Sequence, residues 1–348
     1  MIQELHDIQA AAGAIFAEST TETVAVSFGN DANAIAATKQ GVALYDRTHW
    51  GRIQISDGDR LRFLHNQTTN NFNILKPGQG CDTVFVTSTA RTIDLATAYA
   101  TEDTVLLLVS PNRRRQLLEL LDRYIFPMDR VELTDLTDTT VTFSLIGLES
   151  SKLVEKLGIN ELENQPYANH KLIDFAGIQV RVAVGSGLAT PGYTLISENS
   201  NAANLWSELV KAGAVPMGDR IWEQLRIEQG RPAVDFELMD DYNPLEARLL
   251  HTISYDKGCY IGQETIARLN TYKGVKQQLW GVQLSGYVAP GTVVTIGEEK
   301  VGKLTSVTET ESGFLGLAYI RTKAGGAGLK VQVGEIAGEV VNVPFLSL

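Results

Sequence analysis

The chain has 348 residues, 30 Lys and Arg against 41 Asp and Glu, and two cysteines. At roughly 150 residues per domain, that length implies two or three domains and ample chain for a large core. The formal charge of −11 excludes bulk binding to a phosphate backbone, and two cysteines exclude a disulfide framework or a self-contained four-cysteine metal or cluster site.

In chain order, the first stretch, 1–18, sets Ile2, Leu5, Ile15 and Phe16 among alanines and predicts a surface helix. It carries Glu4, Asp7 and Glu18 without Lys or Arg. With no basic head before an apolar block a secretory signal is not expected, nor is a mitochondrial transit peptide, and the expected location is the cytoplasm. The longest compact apolar run, Val105–Val109, is far short of the roughly 20 residues that span a bilayer. No membrane partner is expected.

Three strand–helix units follow. Asp103–Val109 is β-rich, Pro111-Asn112 reads as turn and N-cap, and Arg113–Ile125 repeats Leu117, Leu118, Leu121 and Ile125 at helical spacing. Thr140–Ile146 is a second strand, followed by a helix with Leu153, Val154 and Leu157 on one face and Gly158 as its stop. Gly192–Ser197 is a third, followed by Leu205, Trp206 and Leu209 on a helix ending near Gly213. No glycine-rich phosphate loop follows any of these strands, so α+β domains with helices on one face of antiparallel sheets are expected rather than a doubly wound sheet. A further helix is predicted over Asp219–Gln229, stopped by Gly230-Arg231-Pro232. From Val275 to Leu348 glycines alternate with β-formers, which predicts a small all-β barrel or sandwich after a boundary near Lys273-Gly274.

The common catalytic motifs are missing. The five histidines form no His-x-His or His-Glu-x-x-His pair, and neither a Gly-x-Ser-x-Gly elbow nor a Walker loop occurs. Arg113-Arg114-Arg115 is the one basic run; it reads first as a solvated helix face and second as a docking patch for an acidic partner or a polyglutamate tail. The unusual segment is Lys257-Gly258-Cys259-Tyr260-Ile261-Gly262-Gln263-Glu264. Two glycines bracket a cysteine, so the backbone can turn tightly there. Residues from Gln263 onward could open a helix whose first amides favour a negative group. In an extended chain Lys257 and Cys259 would share a face, and the ammonium would raise the thiolate fraction. The plainer alternative is a glycine-rich turn around a small buried cysteine.

The Lys-Gly-Cys-Tyr-x-Gly-Gln-Glu segment resembles the hallmark of the YgfZ family of folate-binding proteins, which support iron–sulfur enzymes and are related to the aminomethyltransferase (T-protein) of the glycine cleavage system. Other stretches resemble the same family in the same order: Leu44–Ile53, Phe63–Asn70, Leu225–Pro232, Pro244-Leu245-Glu246 and, in the tail, Val301–Ser306 and Leu315–Ala318. The resemblance implies ferredoxin-like α+β domains around a central cavity and a C-terminal all-β barrel. The corresponding domains are 1–48 with 139–273, then 49–138, then 274–348. It implies tetrahydrofolate or a derivative as cofactor, no tightly bound metal, and iron–sulfur proteins or assembly factors as possible partners.

A tetrahydrofolate site needs a carboxylate or amide for the pterin edge, apolar or aromatic walls for the linker, and Arg or Lys for the glutamate tail. The candidates are Arg226, Glu228, Tyr193, Gln263 and Glu264 for the cofactor, with Cys259, Lys257 and Asp94 for chemistry. For Arg226 and Glu228 an ion pair is the plainer alternative. T-proteins carry two adjacent aspartates where this chain has Asp94-Leu95, a Gly-Glu-Asp-Gly after the Gly-Tyr-Thr of the third unit, and an arginine where Trp222 stands. These departures favour an accessory folate protein over a glycine-cleavage transferase, with a one-carbon transferase using Asp94 as the second reading.

Overall fold

The computed structural model describes residues 2–18 and 23–347. By packing, the chain divides into two compact units: 1–64 with 72–82 and 96–222, and 65–71 with 83–95 and 223–348. Its sheets are mixed α/β and ferredoxin-like, followed by a closed six-stranded barrel.

The first element differs from the helix expected over 1–18. The helix covers Ile2–Ala11 only, and Ile15–Glu18 is a strand paired antiparallel to Thr23–Ser27. The break sits at Gly13, whose φ of +93° a side chain would strain. The later helices follow the apolar spacing. Arg114–Asp122 buries Leu117 and Leu121, and Ala202–Lys211 buries Leu205, Trp206 and Leu209. Asn112 takes φ +52° in the turn rather than capping, and Arg113 occupies the cap position. Gly158 and Gly213 end their helices with φ of +80° and +112°.

A six-stranded sheet runs in the order His170–Phe175, Ile178–Val184, Gly192–Glu198, Thr140–Ile146, Ala43–Asp46, Val215–Met217. All its pairs are antiparallel except the edge pair of Val215–Met217 with Ala43–Asp46. Its core gathers Leu44, Phe143, Leu195 and Trp206, with the Trp206 ring 5.9 Å from Phe28 and 5.3 Å from Phe143. A five-stranded sheet has the order Gly80–Val86, Thr92–Ala100, Thr104–Val109, Gly51–Ser56, Glu132–Asp135.

At the start of the edge strand His170–Phe175, His170 is fixed as a neutral ring. It is 4 % exposed, and its Nδ1 accepts from Arg181 at 2.9 Å. An arginine can only donate, so the proton sits on Nε2, which bonds the Ala100 carbonyl at 2.9 Å. Burial first, and Arg181 second, push its pKa down from 6.5 to about 4. The unfolded chain therefore binds this proton before the folded one does. Stability is complete above pH 6.5 and should fall by about 3 kcal/mol as pH drops to about 4. Urea midpoints across this range should show the slope, and His170→Gln should flatten it. An unaltered slope in the variant would contradict the assignment.

The second unit holds the barrel, Gln277–Leu284, Gly313–Arg321, Glu299–Thr310, Val293–Ile296, Lys330–Val333 and Ile336–Val341, closed on itself. Val282, Leu304, Ala318, Ile320 and Val340 fill it. The long strand Glu299–Thr310 shifts register between Leu304 and Ser306. That bulge re-aims two neighbouring hydroxyls, and Thr305 and Ser306 both donate to Glu237 at 2.6 Å. Among the described residues no helix is long and apolar enough to cross a membrane.

Candidate functional site

The cysteine segment is built on a strap of chain, 65–71, in the same unit. Ser254 N–H donates to Thr69 carbonyl at 3.0 Å, and Ile261 N–H to Asn66 carbonyl at 3.1 Å. Between these ties the chain bends rather than extends, so Lys257 and Cys259 do not share an environment as expected. Lys257 is 7 % exposed, whereas Cys259 is an exposed free thiol. The Lys257 ammonium donates to the carbonyls of His65, Thr68 (2.7 Å) and Asn70 (2.6 Å) and lies 4.6 Å from the centre of the Tyr260 ring. Three carbonyls and a ring face replace the water a buried ammonium loses. Lys257 is therefore a clamp on the strap, not a side chain turned toward the thiol.

Gly262 then takes φ +79°, and a Cβ there would stand 2.8 Å from the Thr87 carbonyl, so only glycine fits. The helix Gln263–Thr271 opens directly after it, with Gln263 half-buried and Glu264 exposed. Beneath the segment Tyr260 and Ile266 pack with Ala90, Leu245 and Ile253. Burial pushes the Tyr260 phenol up to about 12. Asp94 lies on the strand Thr92–Ala100 with its side chain wholly buried. Glu246, from the Pro-Leu-Glu stretch, is a second buried carboxylate. Burial raises its pKa, against the amide of Asn243 and the nearby Arg91.

Arg226 takes its plainer alternative. It is 2 % exposed and pairs with Glu237 at 3.1 Å and Glu223 at 2.8 Å. It also donates to Ser306 Oγ at 3.1 Å. Burial, the largest influence, opposes its charge, yet Glu237 and Glu223 outweigh it and raise its pKa. Its guanidinium fastens the helix Asp219–Gln229 to a barrel strand and is spent on that contact. Glu228 is half-buried and accepts from Gln224 at 2.8 Å.

In the first unit Tyr193 belongs to the core, 6 % exposed, on the strand Gly192–Glu198. A polar group that sequence reading missed stands out there. The Asp82 carboxylate, 8 % exposed, accepts from Thr97 Oγ1 at 2.6 Å and from the Tyr167 hydroxyl at 2.9 Å. The Tyr167 ring packs against Gly185, where a Cβ would come within 2.4 Å of it. Tyr99 is 2 % exposed, and burial pushes its phenol up to about 12, with Arg47 and Thr194 pulling the other way. A buried carboxylate framed by hydroxyls and aromatic rings can pair with the donor edge of a flat heterocycle. Its members lie at 82, 97, 99 and 167, and the one local signal is a carboxylate set in a strand of β-formers.

An aromatic stack lies in the same unit. Trp222 stacks on Tyr45, centres 4.7 Å apart and planes at 13°. The guanidinium of Arg47 lies 3.9 Å from the Trp50 ring and 5.0 Å from the Trp222 ring. The arginine expected at 222 by resemblance is thus absent, and Arg47 brings a guanidinium to the Trp222 ring instead. Of the basic run, Arg114 pairs with Asp135 at 3.0 Å and Asp138 at 3.1 Å, and Arg115 with Glu119 at 2.9 Å. Among the described residues no group of three or more His, Cys, Asp or Glu side chains could hold a metal ion.

Comparison with known proteins adds the following. The family model described as the GCVT N-terminal domain matches residues 5–257. A chloroplastic protein of Arabidopsis thaliana that carries the provisional name of a transferase is 48% identical over 93% of this chain and 76% of its own length. An aminomethyltransferase of Caldanaerobacter subterraneus subsp. tengcongensis is 26% identical over 85% of this chain and 82% of its own. One of Mycobacterium tuberculosis is 27% identical over 99% and 96%. Among solved structures, the glycine cleavage system aminomethyltransferase T of Bartonella henselae superposes with a TM-score of 0.84 over 98% of this chain and 97% of that one, at 16% identity. That likeness is one of fold.

Proposed function

The chain belongs to the GCVT N-terminal domain family, and from that membership we propose that it binds tetrahydrofolate or a derivative and supports the assembly or repair of iron–sulfur clusters. The observation that carries the folate reading is the buried Asp82 carboxylate with its Thr97 and Tyr167 hydroxyls and the Tyr99 phenol. A reduced pterin presents N–H donors on one edge, and a carboxylate is a strong acceptor for such donors. The residues present fit such a group. Asp82 would hold its edge, and Tyr167 would orient the carboxylate. Bound tetrahydrofolate would supply an amine able to carry a one-carbon unit.

Cys259 supports the iron–sulfur part. It is an exposed thiol on a loop whose shape Lys257 and Gly262 hold fixed. One thiol cannot hold a cluster, so a client protein would supply the remaining ligands. Two cysteines with no disulfide between them suit a reducing compartment, and a cytoplasmic setting is part of the proposal. The relatives' names favour a second reading, a one-carbon transferase in which Asp94 acts on the folate amine. Leu95 beside Asp94, where T-proteins have a second carboxylate, supports the accessory role over it.

Calorimetric titration with tetrahydrofolate tests the folate reading. Asp82→Asn should weaken binding about 10- to 100-fold, and Tyr167→Phe by a smaller factor. No binding to the unaltered protein at millimolar ligand would sink it. Rescue of a strain with impaired iron–sulfur enzymes tests the thiol: Cys259→Ser should fail to rescue while retaining its fold. Turnover of a methylamine carrier that disappears in Asp94→Asn would favour the transferase.

A further inference from the structure

The first unit also contains a cleft of about 640 Å³, bounded by the helix Ile2–Ala11, the strand Thr23–Ser27, the end of the strand Ala43–Asp46 and the start of the helix Arg114–Asp122. That is the size of a small-molecule site. On its wall Gln9 is 1 % exposed and holds a single orientation, because its Nε2 donates to the Asp46 carboxylate at 2.8 Å. That leaves Gln9 Oε1 pointing as an acceptor, buried and with no hydrogen-bond partner. An acceptor so placed costs free energy unless a donor fills the space beside it.

The chemistry of the missing donor follows from its neighbours. Asp46 accepts one bond on each oxygen, from Gln9 and from the Thr48 amide (2.9 Å), and a carboxylate has room for more. His49 adds no fixed positive charge, since burial pushes its pKa down against the pull of Asp219 and Asp46. The two arginines on the cleft are already met by carboxylates, Arg114 by Asp135 and Asp138, Arg115 by Glu119. Of the charged side chains that line the cleft, Arg114 meets Asp138 and Arg115 meets Glu119, whereas Asp46 has, among the described residues, only the neutral Gln9 amide and Thr48 N–H as partners, so the carboxylate without a counter-ion favours a cation. Ile2 and Val24 supply an apolar wall beside it.

We propose that this cleft binds a primary ammonium carrying a short apolar body. The ammonium donates to Gln9 Oε1 and Asp46, and the body lies along Ile2 and Val24. Nothing in this depends on folate binding elsewhere in the chain.

The test is titration of the full chain with n-butylammonium, with n-butanol as its uncharged match, followed by calorimetry or amide chemical shifts. The ammonium should bind saturably in the millimolar range and about tenfold or more tighter than the alcohol. Gln9→Met keeps the shape, removes the acceptor and should weaken the ammonium about tenfold. Asp46→Asn, the second variant should Gln9→Met fold poorly, should weaken it further. Tetrahydrofolate titration of both variants should match that of the unaltered chain, which separates this site from the proposed folate site. Equal affinity for the two probes, or undiminished ammonium binding in a folded Gln9→Met or Asp46→Asn protein, overturns the proposal.

Discussion

Replacing Arg226 by methionine should destabilise the second unit by about 4 kcal/mol, one of the largest single losses expected in this protein. The reason is the partner left behind. Glu237 is wholly buried, and its carboxylate is balanced by Arg226 at 3.1 Å. The remaining contacts of that carboxylate, the Ala233 amide and the hydroxyls of Thr305 and Ser306, supply dipoles but no charge. Without the guanidinium, the carboxylate must be protonated or stay buried and uncompensated. Adding Glu237→Leu to Arg226→Met should recover part of the loss, since a removed pair strands no charge. Recovery should be incomplete, because the Ala233 amide and two hydroxyls then lose their acceptor. Urea unfolding followed by circular dichroism measures both. A single variant within about 1 kcal/mol of the unaltered protein would show that the pair does not fasten the helix to the barrel.

Lys257→Met should lose about 3 to 4 kcal/mol, where Cys259→Ser should lose almost none. Bonds from a charged group are worth roughly 1.5–3 kcal/mol each, and Lys257 makes three of them to the strap that carries the cysteine segment. The methionine stem can refill the volume but leaves three carbonyls without their donor. Cys259 is exposed, so its sulfur is exchanged for oxygen at the surface. Amide exchange at Ser254 and Ile261, which tie the segment to the strap, should accelerate in Lys257→Met. If the two variants proved equally stable while both lost function, Lys257 would be acting on the thiol after all.

These contrasts show where reading the chain as a string succeeds. Leu117 and Leu121, or Leu205, Trp206 and Leu209, mark their helices because the helical period acts within a few residues. The alternation in the tail marks the barrel for the same reason. The order of the motifs from Leu44 to Ala318 points to the family, and the match over residues 5–257 bears that out at the level of the superfamily. The strand Ile15–Glu18 departs from the expected helix because of Gly13, a single residue able to reverse the chain, and the helix expected over Arg113–Ile125 stops at Asp122.

Roles were less legible than elements. Lys257 looks like a partner of Cys259 at two positions' distance, but its carbonyl partners lie up to 192 residues away. Arg226 looks like a receiver for an anionic ligand, and Glu237 claims it. Asp82 drew no notice, because its hydroxyl donors stand 15 and 85 positions along the chain. The sequence by itself determined the later helices, the barrel, the superfamily and the position of the cysteine motif, all of which rest on spacing within short stretches. Tertiary structure alone decided which charges are spent on folding and which buried groups gather into a site. Burial sets the cost of a charge, and only the folded chain brings in the distant partner that offsets it.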